Sequence, residues 1–342
     1  MNLASLSRRL GAAFLLAVCL PFAAAEQAPE KLVWPQAPAQ PRIEFIKSFS
    51  RPADLGIGKG FLERVKDWFF GETEARLIRP MAVVSSGGVL YVADPGAKGV
   101  HRFDVAGGEY SLITAADDMP LPSPVGLASG AAGEVYVTDS RLAQVFVIRP
   151  GAKSALALRL DVRLTQPTGI SFDAASGRLH VVDTAEHRIH IFERDCSLAG
   201  SMGRRGSGDG EFNYPTYLWR TTEGRLYVTD SLNFRVQAFD ARGQFAGKFG
   251  RQGDGTGDAG RQKGVATDRY GHVYVVDALF HGVQIFDATG RLLLPLGERG
   301  RERGEFWLPT GIFIDGSDGD TIYIADSYNQ RIQVLRYVGG PT

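Results

Sequence analysis

Cysteine is scarce in this sequence, and its scarcity excludes two kinds of protein. The chain contains two cysteines, Cys19 and Cys196. Cys19 lies in an N-terminal segment with the pattern of a leader, so Cys196 would be alone in the mature chain and could form no intrachain disulfide bond. The sequence also lacks Cys-x-x-Cys-His, the motif for covalent haem attachment. Packing and strand pairing must therefore stabilise the fold, and no haem cofactor is predicted.

An excess of basic residues and long apolar runs are also missing. Residues 1–25 contain Arg8 and Arg9 and no acidic residue, which leaves 36 basic and 38 acidic residues and a net charge of −2. A nucleic-acid-binding protein should have a basic stripe, so no nucleic-acid partner is predicted. The most apolar run, Leu10–Leu20, is shorter than the roughly 20 residues that span a bilayer.

The N-terminal segment has the pattern of a secretory signal peptide over residues 1–25. Two arginines precede the apolar run, and Ala23–Ala25 provide small residues for cleavage. Lipid attachment at Cys19 and twin-arginine export through Ser7–Arg9 are the alternatives. Residues 26–41, rich in Pro, Ala and Gln, are predicted to form a linker. We expect an exported protein, periplasmic or extracellular.

The stretch from Glu223 to Asp240 recurs along the chain. Its text Leu226-Tyr-Val-Thr-Asp230 ends in an aspartate that is repeated at steps of 45, 44, 47, 47 and 49 residues. These recurrent aspartates are Asp94, Asp139, Asp183, Asp230, Asp277 and Asp326. A period of about 20–50 residues indicates a repeat architecture.

Each repeat has the pattern of four short strands. Leu226–Asp230 and Arg235–Phe239 are rich in β-branched and aromatic residues and are bounded by Gly, Asp and Asn. An inner run precedes them, and a glycine turn with a fourth run follows. We predict an all-β fold, a six-bladed β-propeller of four-stranded antiparallel blades over residues 42–338, with the six repeats in 78–338 and a tail at 339–342.

The final repeat lacks its fourth strand, and a spare strand precedes the first repeat. Arg42–Phe49 alternates apolar and polar residues, as a half-buried strand does. Residues 42–49 are therefore predicted to complete the last blade and close the ring, which removes an exposed sheet edge.

The repeat text resembles the NHL repeat. The pattern Asp-Ser-x-Asn-x-Arg-Ile/Val-Gln is matched by Asn233, Arg235 and Gln237, and again by Asn329, Arg331 and Gln333. The resemblance covers roughly residues 78–338 and is closest in blades three to six. It implies a β-propeller. The recurrent aspartates, together with Arg188, Arg235 and Arg331, are predicted to satisfy backbone groups at the blade edges rather than to perform catalysis.

One insertion, residues 52–77, is not explained by the repeat. Phe61, Val65 and Trp68 fall on one face at helical spacing, which predicts a short helix at 60–70. We expect this helix to pack on the propeller, and the alternative is a helix that contacts a membrane surface or a partner.

Catalytic chemistry has little support in the sequence. The six histidines lie at repeat positions around a ring, so they are not predicted to converge on a zinc ion of the kind found in the amidating lyase. Related lactonases hold a metal ion at the innermost strands with oxygen ligands. No Asp, Glu, His or Asn occurs in the six innermost segments of this chain: Met81–Val84, Val125–Ala128, Thr168–Ser171, Thr216–Trp219, Lys263–Ala266 and Thr310–Phe313. No metal, cofactor or catalytic residue is predicted.

Blade four departs from the other repeats in its inner strand. Tyr217 occupies the position of Gly126, Gly169, Gly264 and Gly311 in other blades. The links between blades and the turns after the recurrent aspartates should meet at one end of the channel, which we call the upper rim. Aromatic residues, a histidine and an arginine on this rim are predicted to bind a partner: Tyr214, Tyr217, Arg141, His187, Phe234, Phe280 and Tyr328. The alternative for Tyr217 is that it only fills the channel.

The sequence therefore predicts a monomeric, non-catalytic scaffold of the cell envelope that binds a protein or a small ligand on its upper rim. The alternative function is that of a lyase or hydrolase, amidating-lyase-like or lactonase-like, with its site on the same rim.

Overall fold

The computed structural model describes residues 31–58, 75–115, 119–318 and 320–339, and the predicted helix at 60–70 lies outside them. Leu32–Thr342 forms one compact unit. No helix in the described part of the chain is long and apolar enough to cross a membrane. Within these described ranges, four short 3-10 turns accompany the strands: Pro52–Leu55, Ser231–Asn233, Gly316–Asp318 and Ser327–Asn329.

The described strands form six antiparallel blades, which confirms the predicted all-β propeller. Blades 1 and 2 comprise β3–β6 (Ala82–Ser86, Val89–Asp94, Gly99–Asp104, Glu109–Ala115) and β7–β10 (Pro124–Ser129, Val135–Asp139, Gln144–Ile148, Ser154–Ala157). Blades 3 and 4 comprise β11–β14 (Pro167–Asp173, Arg178–Asp183, Arg188–Phe192, Leu198–Met202) and β15–β18 (Pro215–Arg220, Leu226–Asp230, Arg235–Phe239, Phe245–Phe249). Blade 5 comprises β19–β22 (Gln262–Thr267, Val273–Asp277, Gly282–Phe286, Leu292–Leu296). Blade 6 comprises β23–β25 (Ile312–Asp315, Thr321–Asp326, Arg331–Tyr337) with β2 (Ile43–Phe49) and β1 (Val33–Trp34).

The N-terminal strand closes the ring as predicted. β2 pairs antiparallel with β25, from Ile43 opposite Tyr337 to Phe49 opposite Ile332. The side chains of Ile43 and Phe49 are fully buried in the core. The two-residue β1, which lies within the predicted linker at 26–41, adds a further strand outside β2. The Pro- and Ala-rich composition of that segment predicted a linker, although its Val33-Trp34 pair forms a short strand.

Blades 1 and 2 are joined at their outer edges, which the repeat does not predict. β6 and β10 pair in parallel through Thr114 opposite Ser154 and Ala115 opposite Ala155, so the two blades form one eight-stranded sheet. β10 also keeps its antiparallel pairing with β9. One outer edge is therefore covered by a neighbouring blade rather than exposed to solvent.

The inner strands approach one another so closely that they favour glycine. A Cβ atom on Gly169 would lie 2.8 Å from Cα of Tyr217, and one on Gly264 would lie 2.8 Å from the backbone nitrogen of Ile312. Each contact is made to the inner strand of the next blade, so a larger residue would push two blades apart. The hydrophobic core lies in the spaces between blades, where side chains of neighbouring sheets pack together.

Candidate binding face

The strand pairing places all predicted binding turns at one end of the channel. Pro215 at the start of β15 lies opposite Asp230 at the end of β16, and Pro167 lies opposite Asp183 in the same way. The links that enter the inner strands and the turns that follow the recurrent aspartates therefore share the upper rim. The opposite end, where β7, β11 and β15 finish, is the lower rim.

The recurrent aspartates organise hydrogen-bond networks on the upper rim. Asp230 is fully buried and accepts hydrogen bonds from the backbone nitrogen of Asn213 (2.6 Å), Asn233 Nδ2 (2.8 Å) and Arg235 Nε (2.8 Å). Gln237 Nε2 donates to the same carboxylate at 3.2 Å. The predicted hydrogen bonding of a recurrent aspartate to a backbone group at the blade edge is confirmed at Asp230.

The buried arginine of this network holds the link between blades 3 and 4. Arg235 donates to the carbonyl oxygens of Ser207 (2.8 Å), Gly208 (2.8 Å) and Glu211 (2.9 Å). Arg331 repeats the arrangement in blade 6, with Nε 2.7 Å from Asp326. A planar guanidinium can contact a carboxylate and several carbonyls at once, so each arginine fixes a glycine-rich loop to its blade.

Tyr217 crosses the channel instead of being displayed on the upper rim. Its hydroxyl donates to the carbonyl oxygen of Met81 in the opposite blade at 3.2 Å, and its backbone nitrogen donates to Thr229 Oγ1 at 2.9 Å. Burial raises the pKa of the phenol, so the hydroxyl stays protonated. The geometry is that of a channel plug, the alternative that the sequence left open for this residue.

A cavity of about 160 Å³ lies on the lower side of this plug. Its wall includes Phe172, Trp219 and Phe313, and the rings of the last two meet edge to face at 5.9 Å. Arg220 is also part of the wall and forms an ion pair of 3.1 Å with Asp173. The cavity is therefore a small, largely apolar space with one compensated cation at its margin.

The structure brings together only two of the seven predicted site residues. The rings of His187 and Tyr214 meet edge to face at 4.6 Å, and the backbone nitrogen of Tyr214 donates to His187 Nδ1 at 3.1 Å. His187 is buried, whereas Tyr214 is 40% exposed. Arg141 is exposed on the corresponding turn of blade 2.

The remaining aromatic residues differ in exposure. Phe234 and Phe280 are partly buried, whereas Tyr328 is 56% exposed. The Tyr328 ring packs against Trp307 at 5.9 Å. Arg301 lies over the same indole at 5.1 Å from its centroid, in cation–π geometry. The seven residues thus do not form one cluster, and their role in binding stays a prediction.

Sequence reasoning named Tyr328 but missed the other apolar residues that the upper rim exposes most. Among the described residues, the five large apolar side chains with the greatest exposure all belong to this rim: Met119 (58%), Tyr328 (56%), Leu279 (52%), Leu232 (50%) and Ile78 (46%). Leu232, Leu279 and Tyr328 each lie two residues after a recurrent aspartate. That shared position was the signal that could have identified Leu232 and Leu279, because the turn directs the side chain at this position outward in three consecutive blades.

One group in the described part of the chain has the composition of a metal site. Oxygen atoms of Asp183 and Glu186 and a ring nitrogen of His190 lie within 4.8 Å of one another. The sequence predicted no metal ligands, since it treated each histidine as a separate repeat position. The three residues belong to one blade, and the turn between β12 and β13 brings their side chains together in the folded chain.

A lysine at the start of β19 gives a pH-dependent prediction. Burial, together with the charge of Arg261, lowers the pKa of Lys263 to about 8. Below about pH 8 the buried, protonated Lys263 therefore lowers the free energy of unfolding. This destabilisation disappears as the pH rises toward the ordinary pKa of lysine. At about 1.4 kcal/mol for each pH unit between the two pKa values, about 8 and 10.5, Lys263→Met should stabilise the fold by about 3–4 kcal/mol at pH 7.

The measurement is urea unfolding of Lys263→Met and the parent protein between pH 7 and pH 10.5. The gain in unfolding free energy should be constant up to about pH 8 and should shrink above it. Lys153→Met, at an exposed position, is the matched control. Equal effects of the two substitutions at every pH would contradict the assignment.

The fold resembles solved β-propellers at low sequence identity. Virginiamycin B lyase from Staphylococcus aureus shares 15% identity over 76% of this chain and 95% of its own length, with a TM-score of 0.54. An auxiliary nutrient binding protein from Bacteroides ovatus shares 12% identity over 76% of this chain and 70% of its own, with a TM-score of 0.59. A chain of the nidogen/laminin complex shares 18% identity over 72% of this chain and 84% of its own, with a TM-score of 0.53.

No protein-family model matches the chain, and no curated protein matches it. At such identities the structural likeness shows the β-propeller fold alone, because the same fold supports many unrelated activities.

Proposed function

We propose that this protein is an exported, non-catalytic scaffold that binds a protein partner through its upper rim. The observation that supports this most is the concentration of exposed apolar side chains there, led by Met119, Tyr328 and Leu279. Soluble proteins seldom group their most exposed apolar residues on one surface unless that surface meets a partner. Isolated apolar residues elsewhere on the outer strands need no such explanation.

The closed channel favours a protein over a small molecule at this rim. Tyr217 spans the channel to Met81, and small-molecule sites are normally concave and enclose most of their ligand. Exposed Arg79, Arg141 and Arg261 lie on the rim beside the apolar residues. The partner surface that fits is therefore apolar with carboxylates beside it, since aromatic residues and arginine dominate interface energetics.

Two further assignments belong to this proposal. The Asn233, Arg235 and Gln237 network around Asp230, repeated around Asp326, supports membership of the NHL-type propellers. The leader pattern of residues 1–25 supports export to the cell envelope. Solved propellers with this fold include an auxiliary nutrient binding protein and a chain of the nidogen/laminin complex, which makes a binding role consistent with the fold.

The test compares two triple variants, each of which replaces three exposed apolar side chains with serine. Leu232→Ser, Leu279→Ser and Tyr328→Ser together alter the upper rim. Leu156→Ser, Leu198→Ser and Leu293→Ser together alter outer strands, where the side chains are 43%, 37% and 40% exposed. The two variants and the parent chain are immobilised separately, and each is exposed to an envelope extract of the native host.

The rim variant is expected to bind the partner more weakly. The loss of binding free energy should be about 2 kcal/mol or more, as at protein hot spots. The outer-strand variant should retain the partner with parent affinity. Equal retention by both variants, or loss from the outer-strand variant alone, would contradict the proposal.

A further inference from the structure

Blade 3 differs from blade 4 in two of the side chains that lie beside its recurrent aspartate. Glu186 replaces the amide of Asn233, and His190 replaces the amide of Gln237. In blade 4 both amides donate to Asp230, at 2.8 Å and 3.2 Å. A carboxylate cannot donate a hydrogen bond when ionised, so the network of blade 4 cannot form in blade 3.

The replacement creates a set of converging ligand atoms. His190 Nε2 lies 3.4 Å from Glu186 Oε2, and an oxygen of Asp183 lies within 4.8 Å of both. Metal–ligand bonds of about 2.0–2.2 Å separate neighbouring ligand atoms by roughly 3–4 Å. The three side chains are therefore close to the spacing that one ion requires.

His190 is buried and directs an unpartnered nitrogen into this group. Its side chain is 4% exposed, and Nε2 forms no hydrogen bond with any described residue. Nδ1 lies 2.9 Å from Ser201 Oγ. With Nδ1–H as donor, Nε2 presents a lone pair toward the carboxylates, which is the arrangement found when a histidine binds a metal and donates its other ring proton.

The carboxylates are oriented by the link between blades 2 and 3. Asp183 accepts from the backbone nitrogens of Thr165 (2.6 Å) and Gln166 (3.0 Å), and Thr165 Oγ1 donates to Glu186 Oε1 at 3.1 Å. Glu186 Oε2 is left to face His190, with Arg188 Nε at 3.7 Å on its other side. The Glu186 side chain is 34% exposed, which gives an ion access from solvent.

We propose that Asp183, Glu186 and His190 form a site for a divalent transition-metal ion, with Zn²⁺ as the representative. One imidazole nitrogen with two carboxylate oxygens suits zinc and its first-row neighbours, whereas Mg²⁺ and Ca²⁺ favour oxygen ligands throughout. The bound ion ties the β12–β13 turn to the incoming link. In blade 4 the Arg235 guanidinium performs that task for its own link.

Blade 1 contains the same aspartate–histidine pair without the third ligand. His101 Nε2 lies 3.4 Å from Asp94 Oδ2, and Ala97 occupies the position of Glu186. His101 Nδ1 also has a hydroxyl partner, Tyr110, at 2.9 Å. The chain thus provides its own control, because only blade 3 adds a second carboxylate to the pair.

The test is calorimetric titration of the metal-free mature chain with ZnCl₂, without a histidine tag and with Cys196→Ser to remove the free thiol. One equivalent of Zn²⁺ should bind, and MgCl₂ at the same concentrations should not compete. Glu186→Asn with His190→Gln gives blade 3 the residues of blade 4 and should abolish the stoichiometric binding. His101→Gln should leave it unchanged.

Ser201→Ala changes an exposed side chain and keeps all three ligands. It should weaken Zn²⁺ binding by about 10–100-fold, as loss of a hydrogen bond to a metal-binding histidine typically does. If circular dichroism shows that the double variant does not fold, the Zn²⁺ affinity of Ser201→Ala becomes the measurement that tests the site. Absence of stoichiometric binding to the parent chain, parent affinity in the folded double variant, or parent affinity in Ser201→Ala would each overturn the proposal.

Discussion

Deletion of Arg42–Phe49 is expected to abolish soluble expression or to lower the midpoint of thermal unfolding by about 10 °C or more. Ile43 and Phe49 are fully buried and pack into the cores on the two opposite faces of blade 6, and burial of a large side chain is worth about 2–5 kcal/mol. Deletion also leaves the outer edge of β25 without its partner strand. A loss of about 5 kcal/mol corresponds to a shift of roughly 10 °C or more in a chain of this size.

Two substitution pairs in the same strand provide the control. Ile43→Ala with Phe49→Ala removes the buried contacts and should reproduce most of the loss. Ile46→Ala with Lys47→Ala alters the exposed residues at the bulge of β2, where Ile46 is 38% exposed, and should change the midpoint little. A deleted chain that melts like the parent would show that the ring closes without β2.

Asp230→Ala is expected to destabilise the fold by about 3–5 kcal/mol, as removal of one member of a buried ion pair does. The substitution leaves Arg235, which is 6% exposed, without its carboxylate and frees the donors on Asn213 and Asn233. The link from blade 3 to blade 4 should loosen at the same time, because Arg235 anchors it. Urea unfolding measures the loss of stability, and hydrogen exchange across residues 203–212 measures the loosening.

Asp139→Ala is the matched control in blade 2. Asp139 is equally buried but accepts only from the backbone nitrogens of Ser123, Arg141 and Leu142 among the described residues. Its removal leaves no buried charged side chain without a partner. The free energy of unfolding should therefore fall by a smaller amount, about 1–3 kcal/mol. If both substitutions cost the same, the buried arginine contributes nothing beyond the backbone contacts.

The blade count and the closing strand were predictable because both follow from local spacing. The recurrent aspartates fix the period, and the alternation of Arg42–Phe49 identifies a strand without a partner. The parallel pairing of β6 with β10 was not predictable. It depends on how two outer strands from different repeats meet in space, and no local pattern encodes that meeting.

The candidate site was only partly predictable for a related reason. Residue type favoured Phe234 and Phe280, but Phe234 ends its turn with a φ of 54° and is partly buried, while Leu232 two residues earlier is exposed. Tyr217 was identified as unusual, yet only the folded ring brings its hydroxyl to Met81. Exposure and contacts across blades depend on backbone geometry that composition does not carry.

Site-specific photocrosslinking tests the central claim, recognition of a protein partner by the upper rim, most directly. A benzophenone side chain is placed at position 232 on this rim or at position 198 on an outer strand, and the chain is irradiated in cells of the native host. Position 232 is predicted to yield a discrete crosslinked protein that is absent at position 198. Crosslinks of equal yield at both positions, or at position 198 alone, would contradict the account.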